Sequence, residues 1–139
     1  MGTRSTYRII EKYNEEENQL ALVYVQYDGY PEGHPADIAK WLSEGTVVNG
    51  FNPSTPTLAF NGAGCLAARM IGHLKQDRIG NVYLHAFKDR GNADEDYMYD
   101  IIVDQVNTSI KMIAYDSDNT IIFEGSVQEF ANKYHKQTV

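Results

Sequence analysis

Apolar and polar positions alternate along the first part of the chain. The alternation predicts a strand over residues 6–12 and a second over 19–27. In the second, Leu20, Leu22 and Tyr24 fall on one face and Ala21, Val23 and Val25 on the other. Apolar residues on both faces predict a strand covered on both sides. The period then changes. Pro35 suits a first helical position, and Ile38, Trp41 and Leu42 continue at helical spacing to about Ser43, with Gly45 as a stop. Residues 46–60, rich in Asn, Pro, Ser and Thr, read as irregular. Asn61 then caps a second predicted helix through Leu74, with the stripe Leu66, Ala67, Met70, Ile71 and Leu74. Small residues at its other positions predict close packing of that helix against a neighbouring backbone.

The second half returns to alternation. Strands are predicted over 82–87, 96–104, 110–115 and 120–124, the last two joined through Ser117-Asp118-Asn119. Ser126 and Glu129 form a capping-box pattern ahead of Val127, Phe130 and Tyr134, which predicts a short closing helix. The predicted order is β-β-α-α-β-β-β-β-α. Sequential strands joined by short turns favour antiparallel pairing. The expected fold is therefore α+β: one domain over residues 1–139, with a single curled antiparallel sheet of about six strands packed with two to three helices.

Hydrophobic residues make up 42% of the 139-residue chain and charged residues 22%, enough apolar material for a real core. A net charge of −7 argues against broad nucleic-acid binding. The single cysteine, Cys65, excludes an internal disulfide and any paired-cysteine metal motif. His34, His73, His85 and His135 show no metal-ligand spacing, and no cofactor motif is present. No apolar run has membrane-spanning length and no leader is apparent, so the expected compartment is the cytoplasm, with no membrane partner.

Three segments concentrate chemistry. Asp28-Gly29-Tyr30-Pro31-Glu32-Gly33-His34 puts two carboxylates, a phenol and an imidazole at a strand end, where Asp28 or Glu32 would orient His34 as a general base. The same residues equally suit a corner fixed by Gly and Pro. Asn61-Gly62-Ala63-Gly64-Cys65 opens a helix with glycines, which would present backbone N–H groups to an anion. Neither the Walker nor the dinucleotide spacing follows. Cys65 in that first turn is a candidate nucleophile or a packing residue. In residues 88–96, Arg90 offers a planar fork to a carboxylate or phosphate.

Three stretches share a pattern: Met1-Gly2-Thr3-Arg4-Ser5, the segment from Gln26 through Asp28-Gly29-Tyr30-Pro31 to His34, and Asn61-Gly62-Ala63-Gly64-Cys65-Leu66-Ala67-Ala68. Together they resemble a family of small proteins from bacteriophages, large DNA viruses and some bacteria. That pattern opens MGTRS, continues with DGYP-x-GHG and later has NG-x-G/A-CLAA. This chain departs from it with Tyr24-Val25-Gln26 where the pattern has YRQ, and with Pro35 in place of the last glycine of GHG. The resemblance implies a viral origin, hence a host-cytoplasmic, host-directed role, and supplies no mechanism.

The expectation is a non-catalytic binding module, an accessory or counter-defence protein that holds a host protein or a small, nucleotide-like ligand. Its ligand residues would be Asp28, Tyr30, His34, Asn61, Gly62, Gly64 and Arg90. One alternative is a small hydrolase or nucleotide-processing enzyme using His34 with Asp28 or Glu32, aided by Cys65. Another is an acidic mimic of nucleic acid. Edge strands also leave room for homo-oligomerisation.

Overall fold

A computed structural model describes residues 2–135. Its strands are β1 (Ser5–Tyr13), β2 (Glu16–Val25), β3 (Thr46–Val48), β4 (Ala59–Asn61), β5 (Val82–His85), β6 (Tyr97–Asp104), β7 (Ser109–Asp116) and β8 (Ile121–Ser126). Its helices are α1 (His34–Glu44), α2 (Gly62–Lys75) and α3 (Val127–Tyr134), with a single 3-10 turn at Phe87–Asp89. No described helix is long and apolar enough to cross a membrane.

The main sheet has six strands in the order β5-β2-β1-β6-β7-β8. Its two halves, β5-β2-β1 and β6-β7-β8, are each antiparallel; short connections favour this for β1-β2 and β6-β7-β8, while β5 returns to the edge of β2 after α1 and α2. The sheet as a whole is mixed, contrary to the antiparallel expectation, because β1 and β6 pair in parallel from Ser5↔Tyr97 to Lys12↔Asp104. The cause is the route after β5. Residues 86–96 travel back across the sheet and begin β6 beside the start of β1, as a crossover connection must. A loop without helical periodicity hid that crossover.

Side-chain alternation gives the sheet two unlike faces. Tyr7, Ile9, Val23, Val25, Tyr99, Ile101, Val103 and Met112 point to the side covered by the helices and are buried there with Ile38, Leu42, Leu66, Met70 and Phe130. The opposite face carries Thr6, Arg8, Asp100 and Tyr115, with residues 86–96 laid over it. β2 is an interior strand, with Leu22, Val23 and Val25 buried, in line with its two-sided apolar pattern.

The predicted helices form at nearly the predicted bounds. Ser126 and Glu129 make the reciprocal capping box at α3. Two expectations change. The 46–60 segment holds a short parallel pair, β3 with β4, which three-residue strands do not announce by alternation. The small residues of α2 divide: Ala63 and Ala67 are buried in the core as close packing requires, but Gly64 and Gly72 are exposed, and a Cβ on either would meet nothing within 4 Å. Gly45 is the reverse case. Its backbone is ordinary (φ −94°), but a Cβ there would lie 2.5 Å from Phe60 Cε2. Phe60 is fully buried, and Trp41 meets it edge-on at 5.4 Å between centroids.

Gly45→Ala is therefore expected to destabilise the domain by about 1–3 kcal/mol through overpacking. Gly72→Ala should be neutral or stabilising by up to about 1 kcal/mol. Urea unfolding of the two variants measures the contrast. Equal stabilities would contradict the packing account.

Candidate functional site

The corner after β2 is tied to the start of β1. Gly29 N–H donates to the Thr3 carbonyl at 2.9 Å, and the Tyr99 hydroxyl donates to the Gly29 carbonyl at 2.7 Å. His34 N–H closes the corner onto the Asp28 carbonyl at 3.1 Å. Neither carboxylate orients the imidazole: Asp28 and Glu32 are exposed, and His34 pairs with two hydroxyls instead. Its Nδ1 lies 2.5 Å from the Tyr7 hydroxyl and its Nε2 3.4 Å from Ser5 Oγ. Burial lowers the His34 pKa to about 4. Burial also raises Tyr7 and Tyr99 well above the usual phenol value. At neutral pH the group is an uncharged imidazole between neutral hydroxyls. That arrangement fixes the corner and gives a weak base, so its chemistry favours structure over proton transfer.

The second glycine segment is at the far end of β1. Gln105 N–H bonds to the Lys12 carbonyl at 2.9 Å, and the Gln105 side-chain Oε1 accepts from Ala63 N–H at 2.6 Å. Gly62 adopts φ +82°, and a Cβ there would come within 3.0 Å of Gln105 Oε1. Asn61 is the helix-capping position, yet its Oδ1 accepts from Gly50 N–H at 2.7 Å and makes no cap bond to α2 itself. Helix-start N–H groups have no partner within the helix, and one of them is thus satisfied by Gln105.

Two hollows meet here. One, of 270 Å³, is walled by Val48, Phe51, Pro56, Ala59, Asn61 and Cys65. The other, of 330 Å³, is walled by Glu11, Asn49, Asn61, Gly62, Gly64 and Gln105, among others. Asn61, Cys65 and Val48 line both. Phe51 is 75% exposed and Tyr13 57% exposed at their margins. The first hollow is mainly apolar and the second mainly polar. Cys65 is half-buried. Two histidines that could serve as its base are engaged elsewhere: His73 stacks on Trp41 at 4.2 Å, and His85 stacks on Tyr24 at 5.0 Å.

Arg90 belongs to neither corner. It lies over the opposite face of the sheet, with its guanidinium 4.8 Å from the centre of the Tyr115 ring. The loop that carries it is anchored by Glu95, a buried carboxylate that accepts from Gly91 N–H and Ala93 N–H, each at 2.8 Å, and from Thr6 Oγ1 at 3.0 Å.

The structure thus gathers Asp28, Tyr30 and His34 at one end of β1 and Asn61, Gly62, Gly64 and Cys65 at the other, with Arg90 on the second face. They do not converge. Alternation alone did not reveal the partners that define each place: Tyr7 and Ser5 at His34, Gln105 and Phe51 at α2, Arg8 and Asp100 near Arg90. Among the described residues, no three His, Cys, Asp or Glu side chains cluster as metal ligands would. The chain matches no protein-family model, no curated protein and no solved structure.

The His34 geometry has a pH consequence. Its folded pKa of about 4 lies below the unfolded 6.5, so the unfolded chain binds the extra proton first. Stability is full above pH 6.5 and falls as pH drops from 6.5 towards 4, by as much as about 3 kcal/mol. Ring signals of His34 in an NMR titration should move with a midpoint near 4. A midpoint near the ordinary histidine value would overturn the buried, neutral assignment.

Proposed function

We propose that the protein is a non-catalytic binding module whose ligand occupies the paired hollows at the start of α2. The observation that carries this reading is the contact of a mainly apolar hollow with a mainly polar one along a shared wall of Asn61 and Cys65. A ligand filling both needs a flat apolar part and a polar part. Phe51, Pro56 and Val48 suit the flat part. The side-chain amides of Asn49, Asn61 and Gln105, with the N–H groups of Gly62 and Gly64, suit a group rich in acceptors. Glu11 adds an acceptor at the margin for a ligand hydroxyl or amine. A nucleotide or a nucleotide-like metabolite meets this description. The enzyme alternative has less support, because His34 is held by Tyr7 and Ser5 and is remote from Cys65. The resemblance to phage and viral proteins supports an accessory or counter-defence role for such capture in a host cytoplasm.

Gly64 provides the test, since a side chain there enters open space at the hollow and replaces a helical glycine. Gly64→Leu is expected to leave the fold intact or stabilise it by up to about 1 kcal/mol while blocking the polar hollow. Isothermal titration against a panel of ribonucleoside monophosphates should show binding to the native chain. It should show at least about tenfold weaker binding to Gly64→Leu and to Phe51→Ala, a loss of roughly 1.4 kcal/mol. A panel with no binder, or a Gly64→Leu protein that binds as the native chain does, would remove this reading.

A further inference from the structure

The face of the sheet away from the helices holds a second arrangement, independent of the hollows. Arg8 on β1 and Asp100 on β6 are direct register partners. Arg8 Nε donates to Asp100 Oδ1 at 2.9 Å and Nη2 to Oδ2 at 2.7 Å. The Tyr115 hydroxyl donates to Asp100 Oδ2 at 3.0 Å. Arg90 approaches the same carboxylate, with Nη2 3.5 Å from Oδ1 but without a hydrogen bond. Two guanidinium groups therefore share one carboxylate that is only 2% exposed. Glu95, buried in the loop that carries Arg90, is a second carboxylate on this face, but it is engaged by Thr6 and the loop backbone.

The donors are not all used. Arg90 Nε and Nη2 are buried and have no acceptor among the described residues, and Arg4 Nε, on the same face, is in the same state. A buried donor without a partner costs about 1–3 kcal/mol. Arg90 also makes no hydrogen bond through Nη1, nor does Arg8, and neither Nη1 is among the buried orphan atoms. Each guanidinium is thus only partly enclosed, Arg8 25% and Arg90 16% exposed. Arg90 is not placed by its own pairing. Glu95 anchors its loop to Thr6 and to the loop backbone, and the Tyr115 ring supports the guanidinium plane. Donors held ready by other contacts, with spare hydrogen-bonding capacity, are what recognition of an oxyanion requires.

We infer that Arg8 and Arg90, on either side of Asp100, form a binding site for a phosphate group, either the free ion or a phosphomonoester. Arg90 supplies the unpaired fork and Arg8 the second positive charge. Asp100, in contact with both, sets their spacing.

The test uses the whole chain and follows the arginine Nε–Hε signals by NMR at constant ionic strength. Inorganic phosphate is titrated in one arm, methyl phosphate in a second, and chloride in a third. The expected result is a saturable shift of the Arg90 and Arg8 signals with inorganic phosphate, absent with chloride. A matching response to methyl phosphate identifies a monoester site, and its absence a site for the free ion. Arg90→Lys keeps the charge but loses the fork, and is expected to bind about tenfold more weakly. Arg90→Gln should lose the saturable shift of Arg8, while Gly64→Leu should retain it, which separates this site from the hollows. No saturable shift at millimolar phosphate would overturn the inference. So would equal shifts with chloride, or undiminished binding by both Arg90 variants.

Discussion

The seam between β1 and β6 holds the two halves of the sheet together, and Arg8 with Asp100 fixes its register. The hairpin β1-β2 and the meander β6-β7-β8 could each form locally, but the parallel join has no turn to set its alignment. Arg8 and Asp100 stand opposite one another in that join and close a two-pronged ion pair across it. A slip of one residue would turn Asp100 to the helix side, among Tyr7 and Tyr99. A carboxylate buried there without its guanidinium is costly, since removing one member of a buried pair costs about 3–5 kcal/mol. The aspartate side chain is almost wholly buried, while Arg8 remains a quarter exposed. The guanidinium thus brings charge compensation to the carboxylate without itself being fully desolvated, and the hydrogen bond to Asp100 raises the Arg8 pKa further.

This seam also explains which parts of the fold were legible. Alternation gave the strands of both halves, and helical spacing gave α1, α2 and α3, because burial of one face leaves a period in the sequence. Ser126 and Glu129 declared their cap because the capping box is a local device. The parallel join was not legible. It depends on where residues 86–96 run, and that route is set by Glu95 gathering backbone N–H groups from its own loop and a hydroxyl from β1. A lone glutamate in an acidic loop has no sequence signature for such a task. Arg8 and Asp100 did leave a trace, as charged residues within strands otherwise rich in apolar ones.

The candidate site shows the same division. The glycines and Asn61 marked the start of α2 correctly, and Cys65 does lie in that first turn. Their partners come from far along the chain: Gln105 from the end of β6, Phe51 from an irregular segment. Long-range partners decide whether a glycine-rich turn is a ligand wall or a packing joint. At Gly45 and Gly62, neighbouring side chains occupy the space a Cβ would need. At Gly64 that space is open and faces a hollow. Composition cannot distinguish these cases, because all three residues are glycines beside helix ends.

His34 and Arg90 bring out the physical difference between a polar group that completes a fold and one that is available to a ligand. Both are largely enclosed, and both stood out in the sequence. His34 reaches hydroxyls with both ring nitrogens and is held neutral by burial, so its hydrogen-bonding capacity is used within the chain. Arg90 is a guanidinium, and two of its nitrogens find no acceptor among the described residues. A neutral, satisfied imidazole stabilises its corner without further help. A guanidinium held by a loop that other residues anchor, with buried donors that no described side chain meets, keeps hydrogen-bonding capacity that the imidazole has already spent.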